Sequence, residues 1–347
     1  MVNTQSPNDW PDELFHYTDI NGLKGILGTQ TLWATHYAYL NDSQEIKHFF
    51  EEGDLFSKIM KDIVLERVNE VIQEPRVQSE IYKCGGKTNL VNHYANLLLQ
   101  SLRNSFLEKN SENALYTEAY IACFSKPKNK KISEHGLLSQ WYMYGKNEGY
   151  AIVFSKQGIK TLFGIIEKSE ISPIPMAFGD VVYSHFSNSF KKEFEKELST
   201  IRDFYKGNFL NKYTGEENYP ELSQIYHSIL YCACRYKHWG FKEENEMRIV
   251  AIPISKDRGK IYAEEGYVYK NKTIELRANK AIPYIKLFDD IELQPNRLQR
   301  LPIVRIIVGP SPTIEEKRKR IRAVEIFLEQ LGLDDIEVTA SDIPFLG

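Results

Sequence analysis

The 347-residue sequence has no long hydrophobic run. Its longest apolar stretches, residues 119–124 and 303–308, have the length of β-strands and fall far short of the ~20 residues that a membrane-spanning helix needs. Residues 3–12 are polar and contain two prolines, so we expect no signal peptide there. These absences predict a soluble, cytoplasmic protein that makes no membrane contact.

Cysteine and net charge are also scarce. Four cysteines in a chain of this length, without a secretory signal, indicate a reducing compartment rather than a disulfide framework. The formal net charge is -3 with both signs mixed along the chain, so no overall field favours nucleic acid or a membrane surface. We interpret the basic runs at residues 126–131 and 317–322 as solvated surface.

Two motifs with chemical meaning are incomplete. The sequence Gly85-Gly-Lys-Thr88 resembles part of a phosphate-binding loop, but the first glycine of that motif is missing and the preceding residues read as helix. Cys232 and Cys234 would point about 200° apart on a helix, so both cannot face one ion. We therefore predict no metal site.

The order of the remaining patterns predicts an α+β fold with a mixed sheet. Hydrophobic content of 42% is ample for a sizeable core. Strands are expected at residues 14–18, 31–40, 116–125, 149–154, 177–184, 244–250, 303–308 and 335–339, and a meander at residues 260–287. Helices are expected at residues 20–27, 133–145, 187–206, 220–236 and 314–331.

The sequence has no internal repeats and no interdomain linker. Residues 10–347 are therefore predicted to form one catalytic-type domain with helical excursions at about 45–113 and 187–238.

A charge pattern near residue 246 is the first candidate for a site. Period-two alternation predicts that Glu244, Glu246 and Arg248 share one face of a strand. An apolar run follows at residues 249–253, and carboxylates that enter an apolar wall are candidates for a functional site. A solvated edge strand with a structural Glu–Arg pair explains the same pattern, and the residues alone leave both interpretations open.

Two other segments join this candidate. His16, Tyr17 and Thr18 end the first strand, and Trp141 and Tyr144 lie on an aromatic helix. Each segment alone is explained by a hydrogen-bonded structural histidine or by core aromatics. Together they supply a hydrogen-bonding group, a flat apolar surface and paired carboxylates. That combination suits a nucleotide-type ligand with ribose hydroxyls.

The sequence blocks that carry these residues resemble a large bacterial family catalogued as a domain of unknown function. The blocks are His-Tyr-Thr at 16–18, Leu-Asn-Asp-Ser-Gln-Glu at 40–45, Cys-Phe-Ser at 123–125, Trp-x-x-Tyr at 141–144 and Glu-x-Glu-x-Arg at 244–248. The order of histidine, aromatic residue and glutamate is similar to that of the ADP-ribosyltransferase superfamily. The resemblance implies a mainly antiparallel split sheet with helical insertions.

The same resemblance implies roles for individual residues. His16 would bind the adenosine-side ribose of NAD, supported by Thr18 and with Tyr17 beside it. Either Tyr144 or Trp141 would pack on the nicotinamide ring.

The charged residues take the remaining roles. Glu246 would hold the hydroxyl of the nicotinamide ribose, with Glu244 as the first member of the pair. Arg248 could either set the pKa of these carboxyls or grip pyrophosphate.

The leading hypothesis is therefore an enzyme that uses NAD to transfer ADP-ribose to a macromolecule, either protein or nucleic acid. A bacterial toxin or an antiphage defence effector, with an antitoxin or regulatory partner, is the setting we expect. An NAD glycohydrolase is one alternative. A non-catalytic nucleotide or nucleic-acid binding module that uses the aromatic helix and the two basic runs is another. A metal-dependent nuclease that uses Asp180 with the glutamates is a fourth hypothesis.

Overall fold

The structure is a computed structural model, which describes residues 12–40, 46, 49–50, 55–107, 119–145, 149–167, 175–183, 187–208, 210, 219–253, 274–277, 281–289, 292–294, 297–298 and 300–344. Its contacts divide the chain into two compact units. The first comprises Met1–Thr35, Ala122–Phe178 and Lys242–Gly347, and the second comprises His36–Ile121 and Gly179–Phe241. Both expected helical excursions fall within the second unit. That residues 10–347 act as one domain stays a prediction.

The strands follow one another through both units. They are β1 Glu13–Thr18, β2 Leu32–His36, β3 Tyr120–Ser125, β4 Tyr150–Ser155, β5 Met176–Asp180, β6 Val182–Tyr183, β7 Tyr236–Lys237, β8 Glu246–Ala251, β9 Glu275–Leu276, β10 Pro283–Leu287, β11 Glu292–Gln294, β12 Arg297–Leu298, β13 Ile303–Val308 and β14 Glu337–Ala340. Among the described residues, the main sheet has the order β14-β13-β4-β1-β3-β2-β10-β9, and β8 joins β3 to β5 beside that path.

The α-helices have these bounds: α1 Ile20–Thr29, α2 Leu55–Glu70, α3 Pro75–Lys83, α4 Lys87–Leu107, α5 Lys130–His135, α6 Leu138–Gly145, α7 Lys156–Glu167, α8 Ser187–Glu193, α9 Glu195–Asn208, α10 Tyr219–Cys234 and α11 Ile314–Leu331. Side chains cap several of them as the sequence suggests. Asp19 accepts the Gly22 N–H at the start of α1, and Thr313 accepts the Glu316 N–H at the start of α11. Each bond satisfies an amide that the first helical turn leaves without a partner.

The core of the main sheet is antiparallel. β4 lies between β1 and β13 and runs antiparallel to both, whereas β13 and β14 are parallel and are connected through α11. Because β4 is covered on both faces, its sequence is a continuous apolar run that is buried from Tyr150 to Phe154. The expected α+β class with a mainly antiparallel sheet is confirmed.

The main sheet opens between β1 and β3. These strands share a single residue pair, Phe15 with Ser125, whereas β1 and β4 share six. β8 also meets the carboxyl end of β3, where the Lys126 N–H donates to the Asn245 carbonyl at 3.0 Å. β3 therefore has β1, β2 and β8 as partners.

Several expected elements differ from the structure. The strand expected at 177–184 is two strands, β5 and β6, in different sheets, and the one expected at 31–40 ends at His36. The helix expected at residues 133–145 is two helices, because Gly136, with φ of 77°, ends α5. The helix expected at 187–206 is likewise two, α8 and α9. The strand expected from Glu244 begins at Glu246, because residues 239–244 form a 3₁₀ helix and Asn245 takes a φ of 47°. Residues 41–45 and 254–273, which carry the Asn-Asp block and part of the predicted meander, lie outside the described residues.

Helices dominate the second unit. α2 packs on α4, α9 packs on α10, and β6 pairs with β7 in parallel. A buried arginine links two of these elements: Arg235 contacts Glu193 at 2.8 Å and Glu197 at 3.7 Å, and its guanidinium lies 4.6 Å from the centre of the Phe194 ring. Gly179 faces this arginine so closely that a Cβ there would overlap the guanidinium.

We expect Gly179→Ala to destabilise the second unit by about 1–3 kcal/mol, since Arg235 is buried and its carboxylate partners prevent it from moving. Gly207→Ala in α9 is the matched control, because no atom lies within 4 Å of a Cβ there. That substitution should stabilise the helix by about 0.5–1 kcal/mol. Hydrogen exchange of the α9 and α10 amides measures both effects. Equal protection in the two variants would contradict the assigned packing.

Candidate functional site

His16 lies in the opening between β1 and β3. Its Nδ1 is 2.9 Å from the Cys123 carbonyl oxygen. A carbonyl can only accept, so Nδ1 carries the hydrogen and the neutral ring leaves Nε2 as an acceptor. Nε2 makes no hydrogen bond to any residue in the described part of the chain. The ring therefore offers one fixed acceptor.

Burial controls the protonation of His16. Desolvation lowers the pKa of His16 from its ordinary value of 6.5, the hydrogen bond to Cys123 opposes that shift, and the nearby charge of Arg277 lowers the pKa further. The ring nevertheless keeps partial solvent access. His16 is thus a neutral imidazole at neutral pH.

Arg277 stands next to His16 and was not among the predicted site residues. It follows β9, and its Nη2 donates to Thr35 Oγ1 at 2.8 Å. No carboxylate within the described residues lies at ion-pair distance from it. Desolvation lowers the pKa of the guanidinium, while Asp19 and Tyr284 raise it. The Arg277 side chain is solvent-exposed even so.

An aromatic pair lies on the same side of the sheet as these two residues. The rings of Trp33 and Tyr284 stack with centroids 4.6 Å apart. Tyr284 pairs with Thr35 across β2 and β10, so the two rings share a face with the side chain that holds Arg277. The α1 helix covers this face, since its Gly22 lies against Thr18 and its Gly25 against Trp33. His16 and Thr18 therefore face α1.

The predicted aromatic residues lie on the opposite face of β1. Tyr17 alternates with His16 along the strand, and its ring meets Trp141 edge-on at 4.9 Å. The Tyr17 hydroxyl accepts the Leu137 N–H at 2.8 Å, and Trp141 Nε1 donates to the His135 carbonyl at 2.9 Å. Tyr144 packs at the edge of the same core. The structure does not bring these rings together with the His16 imidazole.

Trp141 is held on both sides by glycine. A Cβ at Gly136 would lie 2.6 Å from Trp141 Nε1, and a Cβ at Gly309 would lie 3.0 Å from the ring and 2.8 Å from the Gly149 carbonyl oxygen. Ala151, Val153 and Ile307 complete the cluster around the ring. With these contacts, Trp141 is a residue of the hydrophobic core.

Glu246 and Arg248 form a buried ion pair on β8. Arg248 Nη2 donates to Glu246 Oε2 at 2.9 Å, with 2% and 6% of the two side chains exposed. β8 and β1 both pair with β3, so the ion pair and His16 lie on strands of the same sheet.

Glu244 and Asn245 hold the start of β8 against β3. The Glu244 carbonyl accepts the Ser125 hydroxyl at 2.7 Å, and the Asn245 side-chain amide donates to the Lys126 carbonyl at 2.9 Å. Glu244 ends a 3₁₀ helix rather than lying on the strand, so alternation does not put it on the Glu246 face. Its side chain is buried, with 7% exposed.

The comparisons with known proteins assign no activity. Residues 140–249 match a family model described as Protein of unknown function (DUF2971). The matched segment includes the aromatic helix α6 and the Glu246–Arg248 pair, whereas His16 and Arg277 lie outside it. No curated protein and no solved structure matches the chain. An uncharacterised family is thereby supported.

The described residues contain neither a metal-ligand cluster nor a membrane-spanning helix. No group of three histidine, cysteine, aspartate or glutamate side chains in this part of the chain is placed to hold a metal ion. None of the described helices is long and apolar enough to span a membrane. A surface depression of about 400 Å³ at the start of α11 contains none of the predicted site residues, and its Lys317 is paired with Asp342.

We expect Trp141→Ala to lower the free energy of unfolding by about 3–5 kcal/mol, because it removes a large buried ring that glycines hold on both sides. Tyr142→Ala is the matched control on the same helix, since 75% of Tyr142 is exposed, and its effect should stay within about 0.5 kcal/mol. Chemical denaturation measures both. A small loss at Trp141 would show that the ring is available for another role.

We expect stability to fall as the pH is lowered below about 6.5. The folded-state pKa of His16 is lowered, so the unfolded chain binds this proton more readily, and the stability present above 6.5 is lost as pH falls through the folded pKa. His16→Asn keeps a donor for the Cys123 carbonyl and removes the titrating ring. Denaturation between pH 7.5 and about 5 should therefore show a shallower pH dependence in the variant. Identical slopes would exclude His16 as the source.

Proposed function

We propose that the first unit binds NAD at His16 and that the protein cleaves the nicotinamide–ribose bond, transferring ADP-ribose to a protein or nucleic acid. One observation carries this proposal: His16 is fixed as the neutral Nδ1–H tautomer in the opening between β1 and β3, with Nε2 left as an acceptor. An acceptor held in place by the opposite ring nitrogen suits a ribose hydroxyl. The ordered resemblance of the sequence blocks to ADP-ribosyltransferases supplies the reaction.

The chemistry assigns a role to the buried ion pair. When the bond between ribose C1′ and the nicotinamide nitrogen breaks, the nicotinamide leaves with the electron pair and positive charge develops on the ribose. A carboxylate held near that charge stabilises the transition state, because a preorganised negative group costs no reorganisation. In this proposal Glu246 is that carboxylate and Arg248 positions it. The acceptor nucleophile then bonds to C1′ and loses its proton.

The proposal moves the aromatic role away from α6. Trp141 and Tyr144 belong to the core on the other face of β1, whereas Trp33 and Tyr284 lie on the same face as Thr35 and near His16. A stacked pair there can pack against a ligand ring with Trp33, which keeps partial exposure. The aromatic contact to NAD is therefore proposed for Trp33.

The two basic runs, residues 126–131 and 317–322, make contacts within the protein. These contacts favour NAD binding at His16 over nucleic-acid binding by the basic runs. Lys128 Nζ donates to the carbonyls of Lys242 and Glu243. In the second run, Lys317 is paired with Asp342 and Arg322 with a glutamate of the same helix. Lysines and arginines that are already partnered lose much of their attraction for phosphates.

An NAD glycohydrolase is the second candidate, and the same geometry favours it equally, since only the acceptor differs. Water would attack ribose C1′ in place of a macromolecular nucleophile. A toxin or antiphage effector of either kind needs an antitoxin or other regulatory partner, and we propose such a partner on that ground.

We expect purified protein incubated with NAD labelled in its adenylate part to label protein or nucleic acid in a cell extract. Glu246→Gln should reduce the initial rate on the order of a hundredfold or more, because it removes the charge that stabilises the transition state. Glu13→Gln is the matched control: Glu13 is also buried and paired with an arginine, Arg305, at 2.8 Å. The Glu13→Gln variant should keep the wild-type initial rate of labelling if its folding is intact.

The outcomes separate the candidates. Label in macromolecules supports the transferase, whereas nicotinamide release without such label supports the glycohydrolase. Titration calorimetry should give NAD binding to the wild type, and His16→Asn should weaken it because the Nε2 acceptor is lost. An unchanged affinity in His16→Asn, or no nicotinamide release by the wild type, would overturn the proposal.

A further inference from the structure

The His16 cleft contains a positive charge that the surrounding protein does not neutralise. Arg277 makes one side-chain hydrogen bond among the described residues, to the neutral hydroxyl of Thr35. The other N–H groups of its guanidinium make no hydrogen bond there. A guanidinium that has N–H groups to spare and no carboxylate partner in the described part of the chain can donate to an anion.

The acidic side chains around Arg277 are engaged elsewhere. Glu275, two residues earlier on β9, contacts Lys286 at 2.7 Å and accepts the Tyr284 hydroxyl at 2.7 Å. Asp19 accepts the Gly22 N–H at the start of α1 and lies beyond ion-pair distance from Arg277. Both carboxylates therefore have their own structural partners, and neither takes the place of an anion on the guanidinium.

The position of Arg277 is fixed by the sheet. Its backbone N–H donates to the Ile282 carbonyl at 3.1 Å, which closes the β9–β10 hairpin. Its side chain is held by Thr35 of β2, the strand next to β10. Because both the backbone and the side chain of Arg277 are held, its guanidinium is preorganised. Less conformational entropy is therefore lost when a ligand binds.

We infer that Arg277 is the phosphate-binding residue of the His16 cleft, so that the site selects a sugar or nucleoside that carries a diphosphate over one that carries none. The guanidinium donates to the diphosphate oxygens while His16 Nε2 accepts a ligand hydroxyl. This deepens the proposed function, and rests on it only for the identity of the ligand as NAD. The diphosphate group is the shared chemistry, whether it comes from a dinucleotide, a nucleoside diphosphate or free pyrophosphate.

The test uses full-length protein and four probes in titration calorimetry: ADP-ribose, ADP, inorganic pyrophosphate and adenosine. Arg277→Gln should weaken ADP-ribose on the order of ten- to a hundredfold, as expected when a charge-assisted contact is lost. Adenosine has no phosphate, so it should bind weakly and with equal affinity to the wild type and to Arg277→Gln. Arg277→Lys keeps the charge without the planar fork and should lose less than the glutamine variant.

Two control variants test whether the change in affinity comes from a general loss of positive charge or of folding. Arg300→Gln removes another exposed arginine of the first unit, one already paired with Asp335, and should leave every affinity unchanged. Thr35→Val keeps the shape of residue 35 but removes the hydroxyl that holds Arg277, and should weaken ADP-ribose by less than Arg277→Gln does. A fall in Arg300→Gln equal to that in Arg277→Gln would overturn the inference.

Failure of this inference can be told from failure of the proposed function. Arg277-dependent binding of ADP-ribose without nicotinamide release from NAD would retain the phosphate site and reject the enzyme. Nicotinamide release with an ADP-ribose affinity that Arg277→Gln does not change would retain the enzyme and reject the phosphate site. Absence of binding by all three diphosphate probes to the wild type would also reject it.

Discussion

The hydrogen bond from the His16 imidazole to the Cys123 carbonyl governs the arrangement of the first unit. A sheet strand normally satisfies such a carbonyl with the backbone of its neighbour. Here a side chain does so, immediately after the single pair between Phe15 and Ser125. β1 and β3 can therefore separate without leaving that buried acceptor unsatisfied. The opening between β1 and β3 and the fixed tautomer of His16 both follow from this one substitution of side chain for backbone.

Several buried charges elsewhere in the described chain are paired, in contrast to Arg277. The buried or half-buried carboxylates Glu13 and Glu246 each have an arginine at 2.8–2.9 Å. Arg235 has two glutamates. In each of these ion pairs, removing one partner leaves a charge that the protein interior does not stabilise. Arg277 has solvent access and no such partner, which is the condition under which a cation can exchange water for a ligand.

The sequence predicted the fold where local chemistry decides it. The apolar run of β4, the Asp19 cap and the Thr313 cap each specify their element by themselves. At Gly136 the boundary that sequence reasoning missed depends on a single backbone angle, since one positive φ divides an aromatic helix in two.

The candidate site was less predictable for a physical reason. Alternation along β1 predicts that Tyr17 and His16 point to opposite faces, but choosing which face meets α6 requires the three-dimensional packing. Arg277 carries no local signal, since its partner Thr35 is 242 residues away. Alternation along β8 puts Glu246 and Arg248 on one side of the strand, and Asn245, with its left-handed backbone, is the residue that joins the 3₁₀ helix to it. A deletion of one residue between the 3₁₀ helix and β8 would turn Met247 and Ile249 to that side and replace the ion pair with hydrocarbon. The length of this short connection, as much as the identity of its residues, is therefore what any functional variant must preserve.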